Sequence, residues 1–218
     1  MEQIKCVLFD LDNTLINRQK AARKTIEILI KRDFPEIDED EFEERVQRLY
    51  DWDQEGHLPK EEVFTPYIKT YGIQGKTVED YELFWKNELP LHTIEFKESV
   101  EVLEYVKQKY RIGLITNGGV DFQREKLKRT SFTEHFEMIL ISGELDMLKP
   151  DKRVFLEACR RMNVLPEECI YVGDGLVNDV IGSAGVGMIP IWVHPDVKRK
   201  TEEVCQRIYH IKDLLQIL

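Results

Sequence analysis

Short apolar segments alternate with amphipathic helical segments along most of this 218-residue chain, and this alternation constrains the fold more than any other feature. Continuous apolar runs predict buried strands at residues 6–9, 112–115, 136–141, 169–172 and 188–193. Helical patterns over residues 97–109 and 120–129, one beginning at the capping residue Asp151, and a short one over 179–184 separate these runs. Apolar strands separated by helices are typical of a parallel sheet that helices cover on both faces, so we expect an α/β, Rossmann-like core.

The segment from residue 17 to 96 breaks this alternation, because it contains no convincing strand. Its apolar residues recur at helical spacing and predict four helices, the fourth capped by Thr77. We therefore predict a core domain of residues 1–16 and 97–218, with a small all-helical domain of residues 17–96 inserted after the first strand.

Composition excludes several classes of partner and location. The net charge is −10, and the acidic excess is concentrated between Asp33 and Glu62, which argues against a nucleic-acid surface. No apolar run approaches the length of a membrane span, and the charged residues around the first run do not fit a signal peptide. The four cysteines lack metal-type spacing and predict buried thiols in a reducing cytoplasm. Composition leaves monomer and homodimer equally open.

Polar residues follow four of the predicted strands, at the sheet edge where doubly wound proteins bind their ligands. The first strand runs directly into two carboxylates one residue apart, and the later strand ends supply a hydroxyl, an amide, an ammonium and two more carboxylates. These candidate site residues are Asp10, Asp12, Thr116, Asn117, Lys149, Asp174 and Asp179.

The same residues carry a resemblance to a known family. The segments Asp10-Leu11-Asp12-Asn13-Thr14-Leu15, Thr116-Asn117-Gly118, Lys149-Pro150 and Gly173-Asp174 through Asp179 resemble, in order, the four motifs of the haloacid dehalogenase superfamily. The helical insertion resembles that family's cap domain, so the resemblance covers the whole chain. Dehalogenating relatives have no acid at the position of Asp12, because their leaving group needs no proton. The resemblance therefore implies a phosphatase, similar to phosphoglycolate phosphatases and nucleotidases.

The resemblance also implies roles for individual residues. Cleavage of a phosphate ester needs in-line attack, charge neutralisation and a proton for the leaving oxygen. Asp10 would be the nucleophile and form an aspartyl-phosphate, and Asp12 would act as general acid and then general base. Thr116 and Asn117 would contact the phosphate, while Lys149 would hold nucleophile and phosphate together.

The resemblance further implies a Mg²⁺ site, since this ion prefers a few carboxylates together with water. Its ligands would be the Asp10 carboxylate, the Asp12 backbone carbonyl and the Asp174 carboxylate. Asp179 would either bind the metal through water or orient Lys149, and the sequence leaves both roles open.

The sequence thus predicts an Mg²⁺-dependent phosphatase of a small phosphorylated metabolite, such as a sugar phosphate, phosphoglycolate or a nucleoside monophosphate. Two alternatives remain open at this point: a phosphomutase, which shares every core motif, and a phosphate-binding protein without turnover. A basic cluster after the first motif could steer an anionic substrate or form a solvated helix face. Its members are Arg18, Lys20, Arg23 and Lys24. Trp52 and His57 are further candidates for reaching the site from the cap.

Overall fold

The computed structural model describes residues 3–194 and 205–218. The chain divides into two compact units. One contains Met1–Asn17 and Glu95–Leu218, and the other contains Arg18–Ile94. The boundaries predicted after residues 16 and 96 lie within two residues of this division. That the second unit acts as a cap stays a prediction.

Within the described residues, a parallel sheet of six strands forms the centre of the first unit, in the order β3-β2-β1-β4-β5-β6. This is the strand order of Rossmann-type sheets, so the predicted fold class is confirmed. The last strand was not predicted, because its three residues contain no apolar run. The strands are β1 (Cys6–Phe9), β2 (Arg111–Thr116), β3 (Met138–Ile141), β4 (Cys169–Gly173), β5 (Ile189–Val193) and β6 (Gln206–Ile208).

Helices surround this sheet and make up the second unit, where no strand occurs among the described residues. The first four helices form the second unit and the others belong to the first. They are α1 (Arg18–Asp33), α2 (Glu39–Asp53), α3 (Lys60–Tyr71), α4 (Val78–Glu88), α5 (Ser99–Lys107), α6 (Val120–Leu127), α7 (Lys152–Met162), α8 (Gly182–Ala184) and α9 (Leu214–Ile217).

Strand β1 lies at the middle of the sheet, and all four of its residues are buried. Its side chains alternate between two apolar clusters, with Val7 and Phe9 in one and Cys6 and Leu8 in the other. The next residue, Asp10, therefore leaves the sheet at the centre of its carboxyl edge. A one-residue slip would move every side chain of this strand to the opposite face and draw Lys5 or Asp10 into the buried sheet, so the position of Asp10 is firmly set.

The helix predicted over residues 179–184 begins earlier than expected and has a different form. A π-helical turn over Leu176–Ile181 runs into α8. The Gly175 carbonyl accepts from the backbone N–H groups of both Asp179, at 2.8 Å, and Val180, at 3.1 Å. The Asp179 carboxylate in turn accepts from the Gly175 N–H at 2.8 Å. Sequence reasoning missed the wider turn because it depends on this reciprocal pairing.

In the second unit, Thr77 caps α4 as predicted, and Asp38 caps α2. Thr77 and Asp80 form a reciprocal capping box at α4, and Asp38 accepts from the Glu41 N–H at α2. An aromatic cluster around Phe64 fills the space between α3 and α4, with the Tyr81 ring stacked at 5.3 Å.

Three of the four members of the basic cluster after the first motif pair with acids of their own unit. Arg18 is buried and donates to Asp53 at 2.8 Å, and Arg23 pairs with Glu43. Lys24 lies 3.4 Å from Glu27. These ion pairs favour a structural role for the cluster over substrate steering. Trp52 is half-buried and His57 is exposed, both within this unit.

No helix in the described part of the chain is long and apolar enough to span a membrane. The thiols of Cys6, Cys159 and Cys169 are buried, as predicted, and Cys205 is half-buried.

Candidate active site

The sheet brings the predicted site residues to one edge. Asp10 follows β1, Thr116 ends the neighbouring β2, and Gly173 ends β4 on the other side of β1, directly before Asp174. Lys149 comes from the loop between β3 and α7. In a parallel sheet all these strand ends meet at the carboxyl edge, which is why residues far apart in sequence lie together here.

Lys149 is the centre of the site. Its ammonium group donates to Asp10 Oδ1 at 2.6 Å and to Asp179 Oδ1 at 2.7 Å. The Ile115 carbonyl at 3.1 Å and the Tyr171 hydroxyl at 2.9 Å complete its surroundings. The side chain is only 2% exposed. Although burial opposes it, the two carboxylates hold the pKa of Lys149 well above its usual range, so the residue keeps a full positive charge.

Asn117 positions that lysine. Its side-chain carbonyl accepts from the Lys149 backbone N–H at 2.8 Å, and its amide group donates to the Lys149 carbonyl at 3.0 Å. This pair of bonds ties the loop carrying Lys149 to the end of β2. The predicted contact of Asn117 with phosphate stays a prediction. In the structure, the Asn117 side chain holds the backbone of Lys149 in place.

Beside Thr116, hydrogen bonds join the segment that contains Gly118 to the segment that contains Gly143. The Gly118 N–H donates to the Ser142 hydroxyl at 3.0 Å, and the Gly143 N–H donates to the Gly118 carbonyl at 3.1 Å. A Cβ at Gly143 would lie 2.8 Å from that carbonyl, so only glycine allows this approach. The Thr116 hydroxyl accepts from the Gln123 side chain and retains its own proton for donation.

Three carboxylates lie close together beside the Lys149 ammonium group. Asp10, Asp174 and Asp179 each offer an oxygen, and these oxygens lie within 4.8 Å of one another. Burial raises the pKa of Asp10 to about 7, with Lys149 opposing the rise and Asp179 adding to it. Burial and the carboxylates of Asp10 and Asp179 also raise the pKa of Asp174 well above its usual value. The lysine alone does not compensate this much negative charge.

A divalent cation fits this arrangement. The three carboxylates present hard oxygen donors of the kind Mg²⁺ prefers. Burial and neighbouring carboxylates raise the pKa values of Asp10 and Asp174, and a bound cation would stabilise their charged forms. Asp179 is also tied to Lys149 and to the Gly175 N–H, which favours the orienting role of the two that the sequence left open. Trp192 donates to the Asp174 carbonyl at 2.7 Å and fixes the loop that carries this carboxylate.

Asp12 lies outside the group of three carboxylates. Its oxygens accept from Lys126 on α6, at 2.8 Å and 2.7 Å, and one of them accepts from Gln123 at 3.0 Å. The two aspartates of the first motif therefore belong to separate networks, each with its own lysine. This separation is consistent with two different chemical roles.

Sequence reasoning missed Gln123, Lys126 and Tyr171. A signal existed for the first two, because residues 123, 126 and 127 share one face of α6 and Leu127 is apolar. Tyr171 stands inside an apolar strand and gave no separate signal.

Comparisons with known proteins agree with this geometry. The sequence profile of the haloacid dehalogenase-like hydrolase family matches residues 4–187. The glyceraldehyde 3-phosphate phosphatase of Pyrococcus furiosus is 30% identical over 205 residues, which cover 88% of this chain and 81% of that protein. The N-acylneuraminate-9-phosphatase of Mus musculus is 26% identical over 221 residues, which cover 89% and 84%.

A solved structure gives the same fold. The HAD-hydrolase YfnB from Bacillus subtilis, bound to magnesium, has a TM-score of 0.81 at 23% identity, covering 100% of this chain and 99% of that one. Because the family profile spans most of the sequence and its four motifs meet at one sheet edge, the chain belongs to the haloacid dehalogenase-like hydrolase family.

Proposed function

We propose that this chain is an Mg²⁺-dependent phosphatase of a small phosphorylated metabolite that works through an aspartyl-phosphate. One observation carries the proposal: the Asp10 carboxylate stands at the sheet edge with Lys149 on one side and two further carboxylates beside it. A nucleophile, a fixed positive charge and a cation site are the groups that attack on a phosphate ester requires.

The chain's own residues account for each step. A carboxylate oxygen of Asp10 forms a bond to phosphorus while the bond from phosphorus to the ester oxygen breaks. Lys149 holds Asp10 in place and offsets part of the phosphate charge. Asp12 gives a proton to the leaving oxygen, then takes a proton from the water that attacks the aspartyl-phosphate. That second attack releases inorganic phosphate and restores the Asp10 carboxylate.

Asp10, Asp174 and the Asp12 carbonyl would hold the cation, with Asp179 orienting Lys149. When bound, the cation supplies charge neutralisation that lets one anion approach another. We further propose that the helical unit Arg18–Ile94 serves as the cap that excludes water.

The relatives support a small substrate. The two that align over most of this chain are named for phosphatase activity on glyceraldehyde 3-phosphate and on an N-acylneuraminate 9-phosphate. A phosphoserine phosphatase of Thermus thermophilus is 40% identical over 92 residues, 42% of this chain. We propose a phosphorylated metabolite of this size class, with sugar phosphates, phosphoglycolate and nucleoside monophosphates as the first to test.

A phosphate-release screen with Mg²⁺ tests the proposal. We expect release from p-nitrophenyl phosphate and from at least one metabolite, and a loss on the order of 10³-fold or more in Asp10→Asn. Asp151→Asn, which changes a half-buried carboxylate that caps α7, is the matched control and should keep its activity. Full activity in Asp10→Asn would contradict the proposed nucleophile. Isomerisation of a sugar phosphate without phosphate release would favour the phosphomutase instead.

A further inference from the structure

Helix α6 contributes two buried polar side chains to the site that no motif contains. Gln123 and Lys126 lie three residues apart and therefore on one face of the helix. Both contact the Asp12 carboxylate, and the Gln123 amide nitrogen also lies within hydrogen-bond distance of the Thr116 hydroxyl and, at 3.0 Å, of the Asn117 carbonyl. One helix face thus links the second aspartate of the first motif to the threonine of the second motif.

The burial of Lys126 is costly and needs an explanation. Its side chain is 2% exposed, whereas that of Asp12 is 21% exposed. Taking an ammonium group out of water costs several kcal/mol, and a buried ion pair often adds little stability over apolar residues of the same size. The pair has good geometry, since Lys126 reaches both oxygens of Asp12 and lies 4.6 Å above the centre of the Phe122 ring. This geometry offsets part of the desolvation cost, but apolar residues of similar size would give comparable stability, so stability alone does not explain a lysine at this position.

We propose that Lys126 is a positioning residue for Asp12, which it holds in the orientation that proton transfer to the leaving group requires; this inference rests on the proposed phosphatase function. Lys126 fixes both oxygens at once, and Gln123 fixes one of them from the neighbouring turn. These three contacts with donors hold the Asp12 carboxylate in one orientation. The 21% of this side chain that is exposed stays open to substrate.

The orientation matters because proton transfer is sensitive to geometry. A general acid must lie within hydrogen-bond reach of the leaving oxygen, and a misplacement of about 1 Å can cost about 10²-fold. The loss should depend on the leaving group. An alkoxide needs a proton as the ester bond breaks, whereas p-nitrophenolate is stable as an anion and leaves without one.

The test compares kcat/KM for the two kinds of ester in Lys126→Met, because kcat/KM reports the steps up to the first bond cleavage. The probes are p-nitrophenyl phosphate and the alkyl phosphate that the wild type hydrolyses fastest. We expect Lys126→Met to lose on the order of 10- to 100-fold on the alkyl ester and less than about threefold on the aryl ester. Lys128→Met is the matched control, since Lys128 is exposed at the end of the same helix and pairs with Glu125. It should leave both values unchanged.

A double-mutant cycle separates positioning from a general structural role. If Lys126 acts through Asp12, the double variant Asp12→Asn/Lys126→Met should be no slower on the alkyl ester than Asp12→Asn alone. Equal losses on both esters, or additive losses in the double variant, would overturn the inference while leaving the phosphatase proposal intact. If Lys126→Met does not fold by circular dichroism, Lys126→Gln replaces it under the same criteria. A folded wild type without activity on any phosphate ester would overturn the phosphatase function and this inference with it.

Discussion

Each of the two units buries a charged cluster, and the clusters differ in the balance of their charges. In the first unit, the core cluster comprises Asp10, Lys149, Asp174 and Asp179. In the second unit, the helical cluster comprises Arg18, Asp53 and Lys60. Among the described residues, the core cluster sets three carboxylates against one ammonium group, while the helical cluster sets two cations against one carboxylate.

The pKa values follow this difference. Burial works against the charged form of Asp53, but Arg18 and Lys60 outweigh it and hold the pKa of Asp53 below its usual value. Burial raises the pKa of Asp10 to about 7, and Lys149 does not offset it. Both carboxylates are buried, so burial alone does not explain their opposite shifts; the number of nearby cations does.

The contrast distinguishes a cluster that the protein compensates by itself from one whose charges fit a ligand. The Asp53 carboxylate is compensated within the protein, and a Cβ at Gly56 would meet the Arg18 guanidinium at 2.5 Å, so the cluster is also closely packed. The core cluster carries carboxylates that the protein itself leaves under-compensated, which is the pattern expected where a ligand supplies the missing positive charge. Charge balance, rather than burial, identifies the site.

Removing one lysine from each cluster should show the largest difference. Lys149→Met leaves Asp10 and Asp179 without their shared cation, so we expect the free energy of unfolding to fall by about 3 kcal/mol or more. Lys60→Met leaves Asp53 paired with Arg18 at 2.8 Å, and we expect a loss of about 1 kcal/mol. Urea denaturation in EDTA measures both values. Equal losses would contradict the difference in charge balance that we draw between the clusters.

Metal binding should separate the clusters next. In EDTA at neutral pH, Asp174→Asn should be more stable than the wild type, because it removes a carboxylate whose ionisation burial disfavours. Mg²⁺ at about 100 times its dissociation constant should stabilise the wild type by about 2.7 kcal/mol and this variant far less. Asp53→Asn is the matched control in the helical cluster and should be less stable than the wild type yet keep the full Mg²⁺ response. An undiminished response in Asp174→Asn would exclude this carboxylate as a ligand.

Much of the fold and the site could be predicted from the sequence, because their signals are local. Each buried strand of the core except the last is a largely apolar run, and three of the four motifs begin where such a run ends. The exception is Lys149-Pro150, which lies in the loop between β3 and α7. The short strand β6 has no such run and gave no signal. The π-helical turn before α8 depends on the Asp179 carboxylate bonding back to Gly175, a tertiary detail that periodicity does not contain.

Two residues whose partners the sequence did not indicate, Lys126 and Arg18, are charged side chains in buried positions. A lysine or arginine on a helix is usually exposed, and that expectation fails wherever a distant carboxylate compensates the charge. Lys126 is buried against Asp12, and Arg18 against Asp53. For the basic cluster, the sequence left substrate steering and a solvated helix face both open, because the partners of Arg18 and Arg23 lie on a different helix, α2. Such pairings become visible only when the chain is folded.

Over a single pH unit, the pH dependence of stability should give the smallest effect of these three comparisons, with opposite sign in the two clusters. Because the folded pKa of Asp10 is raised from 3.8 to about 7, the folded state binds more protons than the unfolded state in this window. In EDTA, this group's contribution to stability should therefore fall as pH rises from about 5 to 7, by at most about 1.4 kcal/mol per pH unit. Asp53, with its lowered pKa, stabilises the protein above about pH 4 and loses that contribution on acidification.

Urea denaturation from about pH 5 to 7 in EDTA should show a smaller decline of stability in Asp10→Asn than in the wild type, and an unchanged decline in Asp53→Asn. A wild type whose stability rises steadily from pH 5 to 7, with Asp10→Asn rising in parallel, would contradict the raised pKa of Asp10.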